Sequence, residues 1–112
     1  MRPLVLALAA LVLAGCGGSH RQTVAGCLND AGFLVSGSAR QVEGTASNGV
    51  AFTLTLYGSA AAAHRAAARL RPATTAAIGR GVVDWHGNPS PSARPTRADL
   101  RAVERCVRRA AG

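Results

Sequence analysis

The sequence predicts an α+β domain: a small antiparallel sheet with helices packed on one face, and the N- and C-terminal helices joined by a disulfide. Three observations carry that expectation. Helical and strand patterns follow one another in the order α-β-(β)-β-α-β-β-α, which favours helices laid on one face of an antiparallel sheet. Residues Val50 to Tyr57 alternate strictly, with Val50, Phe52, Leu54 and Leu56 on one side and Ala51, Thr53, Thr55 and Tyr57 on the other. Cys27 and Cys106, near the two ends of the domain, both fall on the apolar sides of their helices.

The first helix spans Thr23 to Ala31. Val24, Cys27, Leu28 and Ala31 recur at helical spacing, and Gly32 supplies the left-handed position that ends such a helix. Phe33-Leu34-Val35 continues as a strand, and a weak strand is expected around Gln41-Val42-Glu43. Ser47-Asn48-Gly49 then turns the chain into the Val50–Tyr57 strand. Gly58-Ser59 caps a second helix, Ala60 to Leu70, which Pro72 prevents from continuing. That helix has strong propensity because it is nearly all Ala, and a weak packing stripe for the same reason.

A hairpin follows, Ala76–Ile78 and Val82–Trp85 around Gly79-Arg80-Gly81, and then a loop from Gly87 to Pro95 that holds three prolines. Thr96 opens the last helix, with Asp99 at the third position of a capping box. Leu100, Val103, Val107 and Ala110 share one face of it, with Cys106 at the edge. Arg97, Arg101, Arg105, Arg108 and Arg109 gather on the other.

The chain has 112 residues and a formal charge of +8, and all 13 basic residues are Arg. With two Phe, one Tyr and one Trp the core must be small, and the chain of roughly 97 residues that a cleaved leader would leave gains from a covalent staple. The charge favours anionic partners. Coding bias towards Ala, Arg and Gly explains the same composition without selection for contact.

Residues Leu4 to Ala14 are apolar without interruption and follow Arg2. About 20 apolar residues are needed to span a bilayer, so this run has the length of an export signal instead. Its end, Leu13-Ala14-Gly15-Cys16, resembles the lipobox of bacterial lipoprotein precursors. The resemblance implies cleavage before Cys16 and a diacylglyceryl group on its sulfur. It divides the chain into a signal peptide (1–15), a lipidated cysteine with a flexible tether (16–22) and one domain (23–112). The alternative is a simple secretory leader that leaves Cys16 free. Two acyl chains anchor a protein stably where one does not. Gly17 follows the cysteine, which leaves the choice of membrane open.

With Cys16 lipidated, Cys27 and Cys106 remain as an even pair in an oxidising compartment, where disulfides persist. The rival role is redox or metal chemistry, for which Cys-x-x-Cys and zinc-ligand spacing are missing. The domain is also similar to small Cys-stapled bacterial envelope domains. These carry one Cys in a first helix before a Gly-aromatic strand start (here Cys27, Gly32 and Phe33) and its partner in a final helix (Cys106). That resemblance brings no activity with it.

Asp84-Trp85-His86 is the one local group that combines a carboxylate, an aromatic ring and an imidazole. Asp84 and His86 are weak metal-ligand candidates, with His64 a third if the fold brings it near. The bland alternative is a strand end with Trp85 packed inward. The chain has no Gly-x-Ser-x-Gly elbow, Ser-x-x-Lys pair or phosphate-binding loop, so no catalytic residue and no cofactor are expected.

The Arg face of the last helix is either an anionic-lipid or envelope-polymer contact or a solvated surface. Nucleic acid fits the charge but not an envelope location. The expectation is therefore a non-enzymatic, lipid-anchored, extracytoplasmic binding module whose protein partner the sequence does not name. The alternative is a metal- or small-ligand-binding accessory protein.

Overall fold

The computed structural model describes residues 22–90 and 92–111, so the lipobox and Cys16 lie outside it. The elements are α1 (Val24–Asp30), β1 (Leu34–Gly37), β2 (Gln41–Thr45), β3 (Ala51–Leu56), α2 (Ala60–Ala68), a short 3₁₀ turn (Pro72–Thr74), β4 (Thr75–Ile78), β5 (Gly81–Asp84) and α3 (Arg97–Ala111). This is the expected α+β architecture, with a five-stranded sheet in the order β1-β2-β3-β5-β4. Every neighbouring pair is antiparallel. It follows that β3 and β4 point the same way without touching, and β5 folds back to fill the gap between them.

Local chemistry sets the element ends. Thr23 caps α1 by accepting from Gly26 N at 3.0 Å, and Gly32 follows the helix at φ +97, a conformation that favours a residue without Cβ. Ser59 caps α2 through Ala62 N at 3.1 Å. At Gly44, inside β2, φ is +151, and a Cβ there would stand 2.1 Å from the carbonyl oxygen of Leu34. The close pairing of β1 with β2 therefore requires glycine at this position. Asn29 closes the free edge of β1: its amide donates to Val35 O and accepts from Val35 N, both at 3.0 Å. An edge strand so covered is poorly available for pairing with another chain.

The alternation of β3 orients the whole sheet. Phe52, Leu54 and Leu56 face inward with Val42 and Val83, against Val24, Cys27 and Leu28 of α1 and Ala102, Val103, Cys106 and Val107 of α3. Leu54 and Leu28 are fully buried at its centre, and Phe33 meets Phe52 edge to face with ring centroids 5.8 Å apart. The disulfide Cys27–Cys106 crosses this core, joining first helix to last with Cα atoms 5.6 Å apart across 79 residues.

Helices on one face describes α1 and α3. The middle helix, α2, covers the opposite face at the β5–β4 end. Val82 points away from Val83 yet is only 2% exposed, and Ala63 of α2 is buried there, apart from the main core. The inner face at that end is already occupied, since Val107 of α3 lies beside Gly79 in the β4–β5 turn. The crossover from β3 to β4 therefore runs on the outer side. Small Ala side chains let α2 lie close to the sheet, so an unimpressive packing stripe still seals Val82.

Candidate functional site

Among the described residues, the solvent side of α3 carries five exposed arginines. Thr96 caps this helix reciprocally with Asp99: Thr96 Oγ1 accepts from Asp99 N at 3.0 Å, and Asp99 Oδ2 accepts from Thr96 N at 3.1 Å. Asp99 Oδ1 also accepts from the Ser47 hydroxyl, which ties the helix start to the β2–β3 turn. Burial pushes the Asp99 carboxyl up, but the hydrogen bonds from Ser47 and Thr96 outweigh it and hold the group below its ordinary 3.8.

The buried stripe of α3 runs through Asp99, Ala102, Val103, Cys106 and Val107. This corrects the sequence expectation in one respect. Leu100 is only half-buried and Cys106 sits in the core instead of at its edge. The helix is rotated because the disulfide draws Cys106 inward and the capping bonds let Asp99 be buried without an orphaned oxygen. That rotation leaves Arg97, Arg101, Arg105, Arg108 and Arg109 all exposed. The acid on this side is Glu104, whose Oε2 lies 3.6 Å from Arg108 Nη2. One exposed pair of this kind contributes little energy and leaves the surface strongly cationic.

Asp84 and His86 do come together, on the outer side of the sheet at the end of β5. Asp84 Oδ1 accepts from His86 N at 3.0 Å and lies 2.8 Å from His86 Nδ1. Trp85 between them turns inward and is 8% exposed. Asn88 holds this loop to the sheet by accepting from Ala51 N at 2.9 Å and donating to Ala51 O and Trp85 O, each at 2.8 Å. His86 thus keeps Nε2 turned to no protein partner among the described residues, in a geometry where a carboxylate orients an imidazole. His64 is exposed on α2, and among the described residues no three His, Cys, Asp or Glu side chains stand close enough to share a metal ion.

Cys16 lies outside the described residues. Cys27 and Cys106 form the disulfide. Among the described residues no helix is long and apolar enough to cross a membrane. A grouping that sequence reasoning did not find brings Arg40, Tyr57 and Arg80 to one end of the sheet, around a hollow of about 540 Å³. No local signal marks it, because the three residues come from separate turns. Compared with protein-family models, curated proteins and solved structures, the chain matches none of them.

Proposed function

We propose that the protein is a bacterial cell-envelope lipoprotein, anchored through a diacylglyceryl group on Cys16, whose domain is a non-enzymatic binding module for anionic membrane surface. The observation that carries this reading is the exposed arginine side of α3, on a helix tied to α1 by Cys27–Cys106. The lipobox-like Leu13-Ala14-Gly15-Cys16 lies a short way upstream of α1. Residues 16–22 at roughly 3.4 Å each reach on the order of 20 Å, so an anchor there keeps the domain close to the bilayer. Each Arg near an anionic surface adds about 1 kcal/mol of attraction, and acyl chains add anchoring that a single electrostatic contact lacks.

The disulfide supports export to an oxidising compartment, where such bonds persist. Intact mass of protein extracted from bacterial membranes tests the anchor: it should show a diacylglyceryl group that Cys16→Ala abolishes. An unmodified Cys16 would sink the reading.

The second reading, a metal- or small-ligand-binding accessory protein, is favoured by the 2.8 Å Asp84–His86 contact. In that reading His86 Nε2 would be the ligand atom and Asp84 would orient the ring. Zinc titration followed by His86 ring NMR signals decides it, and signals that stay unmoved at micromolar zinc remove it.

A further inference from the structure

We infer that the hollow bounded by Arg40, Arg80 and Tyr57 binds a phosphate ester of the size of a glycerol phosphate head group. Leu56, the last residue of β3, and Tyr57, which follows it, build the hollow: Leu56 N donates to Arg40 O at 2.7 Å, and Tyr57 N donates to Arg80 O at 2.8 Å. The β1–β2 and β4–β5 turns are thereby fixed on either side of one strand. Strands lie about 4.8 Å apart, so the two arginine backbones stand roughly 10 Å apart, within reach of one shared anion.

Arg80 is half-buried, and its Nη1 donates to Tyr57 O at 3.3 Å, which steadies the guanidinium and leaves its other N–H groups to a ligand. Among the described residues neither Arg40 nor Arg80 has a carboxylate within salt-bridge distance, and no acid lines the hollow. A guanidinium offers paired N–H groups that match two oxygens of a phosphate, which makes an unpaired couple of arginines selective for that group over a halide.

The hollow, about 540 Å³ and open to solvent on one side, has room for a small polar ester as well as its phosphate. Gln41, Thr55 and Tyr57 also line the hollow, and the amide and hydroxyl groups of such side chains can hydrogen-bond alcohol oxygens. Beyond Gly58 the first turn of α2 carries no acid, so the positive end of its peptide dipoles adds to the field. The inference does not rest on Cys16 or on the arginines of α3.

The test is an NMR titration of the full ¹⁵N-labelled chain in zwitterionic micelles with sn-glycerol 3-phosphate. Saturable shifts are expected at the amides of Arg40, Tyr57, Gly58 and Arg80, and none with glycerol. Arg40→Gln, at an exposed position outside the core, should weaken binding about tenfold, as loss of a charge-assisted hydrogen bond does. Arg80→Gln should do at least as much.

A second arm compares nanodiscs with and without phosphatidylglycerol. Shifts at the same four residues in the anionic discs identify a lipid head group as the source, whereas shifts confined to free glycerol phosphate identify a soluble ester. Shifts that never saturate, shifts centred on α3, or full affinity in both variants would overturn the inference.

Discussion

Ser47, in the turn between β2 and β3, donates its hydroxyl to Asp99, which sits 52 residues later in the first turn of α3. The contact makes one carboxylate serve two purposes. It completes the capping box with Thr96 and pins the last helix to the sheet.

Asp99 should therefore make stability depend on acid. Its carboxyl is held below 3.8, so the folded state prefers it charged. The contribution is complete above the unfolded value and is lost as pH falls through the lower folded value. Urea unfolding at pH 7 and at pH 3 should show wild type losing stability that Asp99→Asn does not lose to the same degree. At neutral pH, Asp99→Ala should cost about 1–3 kcal/mol, combining a lost cap with an unpaired Ser47. Equal acid sensitivity in both proteins would show that the charge on Asp99 carries no stability.

Removing the staple should matter more. Loss of a native disulfide from a small domain typically costs about 2–5 kcal/mol, and the loop closed here spans 79 residues. Cys27→Ala with Cys106→Ala should lower the thermal midpoint by roughly 8 °C or more, since each kcal/mol moves a domain of this size by about 4–8 °C. Calorimetry with and without reductant provides the same comparison on unmutated protein. A shift under about 4 °C would mean that the core holds α1 to α3 unaided.

Gly44 and Leu34 make a sharper contrast than any core deletion. Gly44→Ala forces a Cβ to 2.1 Å from Leu34 O in a backbone conformation that L residues rarely adopt, and β1 must move away from β2. The expected loss is about 3 kcal/mol or more, at the strained end of single substitutions. Leu34 itself is 78% exposed, so Leu34→Ser should stay within about 0.5 kcal/mol. Chemical denaturation curves of the two variants check both, and a well-tolerated Gly44→Ala would contradict the described pairing of β1 and β2.

Arginine reversal on α3 should separate surface binding from folding. Arg101 and Arg105 are exposed and take part in no ion pair among the described residues. Arg101→Glu with Arg105→Glu should leave the urea midpoint nearly unchanged. Binding of a fragment that begins at Gln22 to phosphatidylglycerol vesicles should weaken at low salt by about thirtyfold from the two lost attractions, at about 1 kcal/mol for each arginine, and by up to about a thousandfold with a like amount for each new repulsion. Vesicle binding that ignores both lipid charge and the substitutions would remove the surface-contact reading.

Much of the fold was legible because it is local. The alternation of β3, the caps Ser59 and Thr96–Asp99, and the end of α2 ahead of Pro72 each depend on residues within a few positions of one another, and all appear in the structure. The weak Gln41–Glu43 strand is also real, because β3 supplies the partner that its own polar sequence could not specify. The site was less legible. Asp84 and His86 are two residues apart on an extended chain, so their contact could be foreseen. Arg40 and Arg80 are brought together only by the pairing of both turns with β3.

By itself, then, the sequence determined the element order, the buried side of the central strand, the pairing of Cys27 with Cys106 and the exposure of the α3 arginines. The tertiary structure alone decided that α2 takes the outer face, that α3 rotates to bury Cys106 and leave Leu100 half-exposed, and that Ser47 reaches Asp99. Periodicity states which residues want burial, but several rotations of a helix and both faces of a sheet can satisfy it. The choice falls to volume already occupied, to a covalent bond across the core and to hydrogen bonds between distant turns. None of these exists until the chain has closed on itself.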